Sequence, residues 1–244
     1  MTDSVEIRRP AKKDELLLIV NNAPLVPTAK PREQRLSDRS REELIKLVQR
    51  LFLSPESESP QVVVFSAVEQ GSGCSWICAR VVEILADGTE SSVCLIDANF
   101  RSPYPYREFF GENPARLSED EWTFAPIRRS DEAISSNLWL LSYRPTPADC
   151  PTAASLERFQ LRIANLRKDF GYVLIDAPPL NGYADAALFG RMADGLVVVL
   201  EANNTRRETT RKAQHLLDQA GVPVLGAVLN KRVFPIPEPL YRRL

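Results

Sequence analysis

From residue 61 onward the chain alternates between short, continuously apolar runs and longer stretches of helical periodicity. The apolar runs are Gln61–Ser66, Ser92–Ile96, Asn137–Ser142, Tyr172–Ile175, Gly195–Leu200 and Val222–Leu229. Consecutive rather than alternating apolar positions, rich in Val, Ile and Leu, mark strands covered on both faces. Helical spacing appears over Ser75–Leu85 and over 153–169, 183–192 and 205–220. An earlier helix is predicted from Ser40, a capping residue followed by Glu42 and Glu43, with Leu44, Leu47, Val48, Leu51 and Phe52 along one face. Strands alternating with helices predict an α/β fold: a doubly wound, mostly parallel sheet with helices on both faces. Residues 103–136 break the pattern with aromatics, prolines and charge, and read as an insertion or lid.

Charge divides the chain further. Residues 1–50 hold 11 basic and 8 acidic groups, and residues 231–244 hold 4 and 1, although the whole chain carries a net charge of −1. Residues 1–39, with Pro10, Pro24, Pro27 and Pro31, read as a mobile basic arm bearing one short apolar patch. Residues 40–230 form the α/β domain, and 231–244 a short proline-rich basic tail. The near-neutral total argues against a nucleic-acid coat, which needs a clear basic surplus. The longest purely aliphatic run, Leu16–Val20, is far short of a membrane span, and the N-terminus lacks a signal-peptide pattern, so a soluble, cytoplasmic protein is expected.

Four cysteines with no CxxC pair, and a single histidine (His215) within a charged helical segment, predict no disulfide framework, no zinc and no Ser-His-Asp machinery.

The chemistry concentrates between the first strand and its helix, in Ser66-Ala67-Val68-Glu69-Gln70-Gly71-Ser72-Gly73-Cys74-Ser75-Trp76. Strand, glycine loop and helix form the layout in which backbone N–H groups and a helix N-terminus hold phosphate. A working loop reads G-x-x-x-x-G-K-[ST], with lysine on the β/γ-phosphates and the hydroxyl on magnesium. Gly73 and Ser75 match that pattern, Gly71 keeps the turn small, Val68 replaces the first glycine, and Cys74 stands in the lysine's place. Two aspartates end later strands: Asp97 in Leu95-Ile96-Asp97-Ala98-Asn99 and Asp176 in Leu174-Ile175-Asp176-Ala177-Pro178-Pro179. Carboxylates at the C-terminal ends of parallel strands are placed to orient magnesium-bound water or accept a hydroxyl proton.

The order of these motifs resembles the bacterial tyrosine autokinases of capsule and exopolysaccharide systems, a branch of the MinD/ParA-like P-loop ATPases. The resemblance spans about residues 40–231. It rests on Ile96-Asp97-Ala98-Asn99-Phe100-Arg101-Ser102-Pro103, Phe170-Gly171-Tyr172-Val173-Leu174-Ile175-Asp176-Ala177-Pro178-Pro179, Ala193-Asp194-Gly195, Asn204-Thr205-Arg206 and Val228-Leu229-Asn230-Lys231. It implies a P-loop NTPase fold and use of ATP or ADP with magnesium. Gly71, Ser72, Gly73, Cys74, Ser75 and Trp76 would line the nucleotide, and Asn230 would approach the adenine. In an active protein Asp97 would be the base, and Ser75, Asp97 and Asp176 the magnesium residues. A membrane-embedded polysaccharide chain-length regulator or a kinase homologue is the implied partner, with homo-oligomers also open.

The departures fall on the working parts. Cys74 replaces lysine, Trp76 replaces a small residue beside the α-phosphate, and Asn99 replaces the second aspartate of a D-x-D pair. Tyr241 stands alone where the family carries a tyrosine cluster, leaving it the single phosphoacceptor candidate. The ring-assembly motif E-x-x-R-x-x-R appears as Glu43, Lys46 and Gln49.

A charge-assisted hydrogen bond contributes about 1.5–3 kcal/mol, and removing an electrostatic donor to a transition state slows a reaction by roughly 10²–10³. No lysine occurs between Lys46 and Lys168, and Arg80 sits a turn too far along its helix, so the sequence predicts that only a partner subunit could restore the cation. The expected protein is a catalytically degenerate member of the fold with weak ATP binding, serving as a regulatory or scaffold partner in exopolysaccharide biosynthesis or export. The alternative is an active kinase or ATPase using a cation supplied in trans; a partitioning-type ATPase binding DNA or membrane through its arms is a third. At a helix N-terminus, Cys74 is either an activated thiol or an inert filler of the lysine's space.

Overall fold

The computed structural model describes residues 17–19, 38–53, 59–100, 106, 109, 125–126, 137–142 and 153–232. Eight strands in the order β1-β8-β7-β2-β6-β3-β5-β4 form one sheet. Its centre is six parallel strands: β2 (Val62–Ala67), β3 (Val93–Asp97), β5 (Leu138–Ser142), β6 (Tyr172–Asp176), β7 (Gly195–Glu201) and β8 (Val224–Asn230). These are the six predicted runs. At the edges, β1 (Leu17–Ile19) lies parallel to β8 and β4 (Ala125–Pro126) antiparallel to β5. Neither edge strand was anticipated: β1 comes from the apolar patch of the basic arm, and β4 from the irregular insertion. The rest of the arm, most of 103–136 and the tail beyond residue 232 lie outside the described residues.

Strand residues point alternately to two cores. Val63, Phe65, Leu95, Leu174 and Val197 face α1 (Asp38–Phe52) and α2 (Cys74–Gly88), meeting Leu44, Leu47, Leu51, Ile77, Val81 and Leu85. Val62, Val64, Ile96, Ile175 and Leu196 face the other side. There, residues from α3 (Ala153–Asp169), α4 (Asp185–Gly190) and α5 (Arg207–Ala220) cover them, among them Phe159, Ile163, Ala186 and Leu217. The apolar face of α1 is the predicted one. Continuous burial along β2 and β3 explains why neither strand shows polar alternation.

Asp194 fastens the start of β7 to its neighbours. Its Oδ2 accepts the backbone N–H groups of Gln61 and Val62, each at 2.8 Å, and Arg167 of α3 grips both carboxylate oxygens at 2.7 and 3.0 Å. This aspartate of the Ala193-Asp194-Gly195 motif therefore closes the end of the sheet away from the glycine loop. Among the described residues, no helix is long and apolar enough to cross a membrane.

Candidate functional site

Beyond β2 the chain turns through Val68–Gly73 into α2. The Val68 N–H donates to Val199 O at 3.0 Å, and the Ser72 hydroxyl to Glu69 O at 2.8 Å. Gly71 and Gly73 both take φ +85°, a left-handed conformation that glycine adopts without a side-chain penalty. At Gly73 a Cβ would also collide with the Asn230 side-chain amide. The loop curls around a cavity of about 170 Å³ lined by Gly71, Ser72, Gly73, Cys74, Ser75 and Asn99, among others. That volume is small beside the roughly 300–1,000 Å³ of typical small-molecule pockets.

Parallel pairing puts Asp97 and Asp176 side by side, as register partners at the ends of β3 and β6. Both are buried on the α2 side of the sheet. Asp176 Oδ2 accepts the Ser75 hydroxyl at 2.5 Å and the Tyr106 hydroxyl at 2.9 Å. The fold thus brings Asp176 to Ser75 across 101 residues and sets it beside Asp97. Tyr106 was not anticipated as a member of this group. The aromatics Tyr104, Tyr106, Phe109 and Phe110 of the 103–136 stretch suggest either packing against the sheet or a protein interface, not a place at the carboxylates; Tyr104 and Phe110 lie outside the described residues. Burial, then the adjacent Asp176, pushes the Tyr106 phenol up, so it stays neutral and donates.

Cys74 opens α2 with its thiol turned into the protein. Its sulfur lies within 4.8 Å of the Cys78 sulfur, one turn along, and of an Asp176 carboxylate oxygen. The Cys78 side chain, burial and the negative field of Asp176 together hold the Cys74 thiol well above its ordinary value. An activated thiol at this helix N-terminus is therefore not what the fold builds, since burial and a neighbouring carboxylate outweigh the helix dipole.

The sequence-based expectation that no lysine of this chain lies near the loop is corrected. Lys231, just past β8, places Nζ 2.6 Å from Gly71 O and 3.3 Å from Glu201 Oε1. Strand order explains the error: β8 borders β7, which borders β2, so a residue distant in sequence returns beside the loop. Its charge is engaged by a carbonyl and a carboxylate, and Lys231 is not among the residues lining the cavity. Arg80 pairs with Glu83 at 2.6 Å and lies 5.7 Å from the ring centres of Trp76 and Phe109. Trp76 itself is buried in the α1–α2 core rather than lining the cavity.

Asn230 donates to Ser72 O at 2.8 Å, while its buried Oδ1 has no protein partner, and neither has Asn99 Oδ1. Buried acceptors ordinarily find donors, so both mark places for a polar ligand or water. Tyr241 lies outside the described residues. Glu43 and Lys46 of α1 pair with each other at 2.9 Å.

A glycine loop entering a helix, with a hydroxyl and two carboxylates gathered at the C-terminal ends of parallel strands, defines a P-loop NTPase-like protein. No protein-family model matches the chain. Tyrosine-protein kinase CpsD of Streptococcus agalactiae is 36% identical over 174 residues, covering 70% of this chain and 75% of its own. The putative tyrosine-protein kinase CapB of Staphylococcus aureus is 28% identical over 184 residues, covering 74% and 79%. Among solved structures, the kinase domain of the Escherichia coli tyrosine kinase ETK superposes with a TM-score of 0.71 at 18% identity, covering 90% of this chain and 92% of that one. The chain belongs to the bacterial tyrosine-protein kinase family that includes CpsD.

Proposed function

We propose that this protein is a catalytically degenerate member of that family, a regulatory or scaffold partner in exopolysaccharide biosynthesis or export. The observation that carries the reading is Cys74. Where a P-loop places its lysine, this chain has a buried thiol packed beside Cys78 and Asp176, and the nearby Lys231 and Arg80 already hold other partners. Without that cation, a triphosphate in the loop finds backbone N–H groups and the Ser75 hydroxyl but no positively charged side chain among the lining residues, and binding is weak.

The residues present still fit the remainder of a magnesium nucleotide. Ser75, Asp97 and Asp176 supply the hard oxygen donors magnesium prefers, Gly71–Ser75 supply the loop, and the unpartnered Asn230 Oδ1 supplies an acceptor for the base. Bound magnesium ATP would furnish a transferable phosphoryl group. The preserved Ser75–Asp176 bond and the Asp97–Asp176 pairing favour one second reading, an active autokinase or ATPase completed by a cation from another subunit, with Tyr241 as acceptor.

The partner that fits the family reading is a membrane-embedded chain-length regulator or a kinase homologue met at the cytoplasmic face. The basic ends suit a surface of anionic lipid. Incubating the purified full chain with magnesium ATP tests the proposal. Absent phosphotyrosine and background phosphate release support it; robust turnover by the isolated chain overturns it and favours the active reading.

A further inference from the structure

Cys74, Cys78 and Asp176 form a cluster that the sequence does not suggest. Their ligand atoms, two thiol sulfurs and a carboxylate oxygen, all lie within 4.8 Å of one another, and all three residues are buried. No spacing rule reveals the group. The cysteines sit one helical turn apart, so α2 stacks them on one face, and β6 brings the third donor from 98 residues beyond Cys78. We propose that this cluster is a binding site for a thiophilic divalent cation of the Zn²⁺ class, reversing the expectation that the chain holds no zinc.

Four features support the assignment. Two thiolates with one carboxylate select a borderline-soft cation over magnesium or calcium, which take oxygen donors. Bonds of about 2.0–2.3 Å in a tetrahedral site set ligand atoms roughly 3.5–4 Å apart, a short side-chain adjustment from the observed cluster. The carboxylate is oriented from outside the cluster, since Ser75 and Tyr106 both donate to Asp176 Oδ2, the kind of support that fixes metal ligands. Cys74 also borders the cavity under the glycine loop, the side on which a fourth ligand such as water would complete a tetrahedral site. Three protein ligands with one open position is the arrangement of sites that keep an exchangeable ligand. On binding, the two thiols release their protons to solvent as the two metal–sulfur bonds form. The site shares Asp176 with the magnesium residues named above but needs no nucleotide, so a nucleotide-free test decides it independently of the functional reading.

The test uses the reduced, metal-stripped full chain without nucleotide, titrated with Co²⁺ and back-titrated with Zn²⁺. The native protein is expected to develop thiolate-to-cobalt charge-transfer absorption that saturates at one equivalent and is bleached by Zn²⁺. Cys78→Ala and Cys74→Ala should each abolish it. Cys94→Ala, on the opposite face of the sheet, should leave it intact. Tyr106→Phe should retain the band with affinity lowered about 10–100-fold; this variant keeps both thiols and tests the site even if a cysteine variant fails to fold. Absence of the band in the native protein, or a band of equal strength surviving in Cys78→Ala, would overturn the proposal.

Discussion

Lys231 reaches back across 160 residues to place its ammonium 2.6 Å from the carbonyl oxygen of Gly71. It does so from a left-handed backbone conformation, φ +57°, which costs a non-glycine residue roughly 1–2 kcal/mol. Together with the Asn230 bond to Ser72 O, it staples the outer side of the glycine loop to the end of β8. A cation beside this loop thus braces its shape from outside. Lys231→Met should lower stability by about 1 kcal/mol in denaturant unfolding and speed amide exchange across residues 69–73. Unchanged exchange there would remove the bracing role.

The loop's two left-handed glycines differ in what surrounds them. A Cβ at Gly71 meets nothing within 4 Å, whereas at Gly73 it strikes the Asn230 amide. Gly71→Ala should therefore show backbone strain alone, about 1–2 kcal/mol. Gly73→Ala should cost at least about 1 kcal/mol more, because the Asn230–Ser72 staple must shift. Thermal unfolding of the two variants side by side measures the difference.

How legible this protein was in sequence depended on whether the signal was local. Consecutive apolar residues in Val62–Phe65 or Val93–Ile96 report burial on both sheet faces, and the helical spacing of Leu44, Leu47, Val48 and Leu51 reports the face that covers them; these elements were predicted within a few residues. Asp97 and Asp176 were legible because a carboxylate ending an apolar run falls at the ligand-binding edge of any parallel sheet. Leu17–Ile19 was not, since a three-residue edge strand is too short to show a period. Lys231 beside Gly71, Tyr106 on Asp176, and the gathering of Cys78 with Cys74 and Asp176 depend on strand order and on side chains meeting across the fold. Periodicity carries no information about either.

The three described cysteines should react slowly. Burial pushes the Cys78 and Cys94 thiols up, and the Cys78 side chain, burial and Asp176 do the same to Cys74. In a Cys150→Ser background at neutral pH, iodoacetamide should modify Cys74 no faster than Cys94, with both rates tracking opening of the fold. Rapid, selective alkylation of Cys74 would restore the activated-thiol alternative.

Asp194 gives stability a defined pH dependence. Burial alone would raise its carboxyl, but bonds from Arg167 and from the Val62 and Gln61 N–H groups prevail and hold it below its ordinary value of 3.8. A group lowered on folding stabilises the native state above its unfolded pKa, and that contribution is lost as pH falls through the folded value. Asp194→Asn should therefore be less stable than the native protein near neutrality, by about 1–2 kcal/mol at this partly exposed site. The gap should narrow below about pH 4. Denaturant unfolding across pH 3–7 checks the sign.

Calorimetric titration of magnesium ATP into the native protein and into Cys74→Lys addresses most directly whether loss of the loop's cation disables this site. A restored charge-assisted contact of about 1.5–3 kcal/mol predicts weak or undetectable native binding and roughly 10–100-fold tighter binding in the variant. Tight binding by the native protein, unimproved by the lysine, would contradict the account.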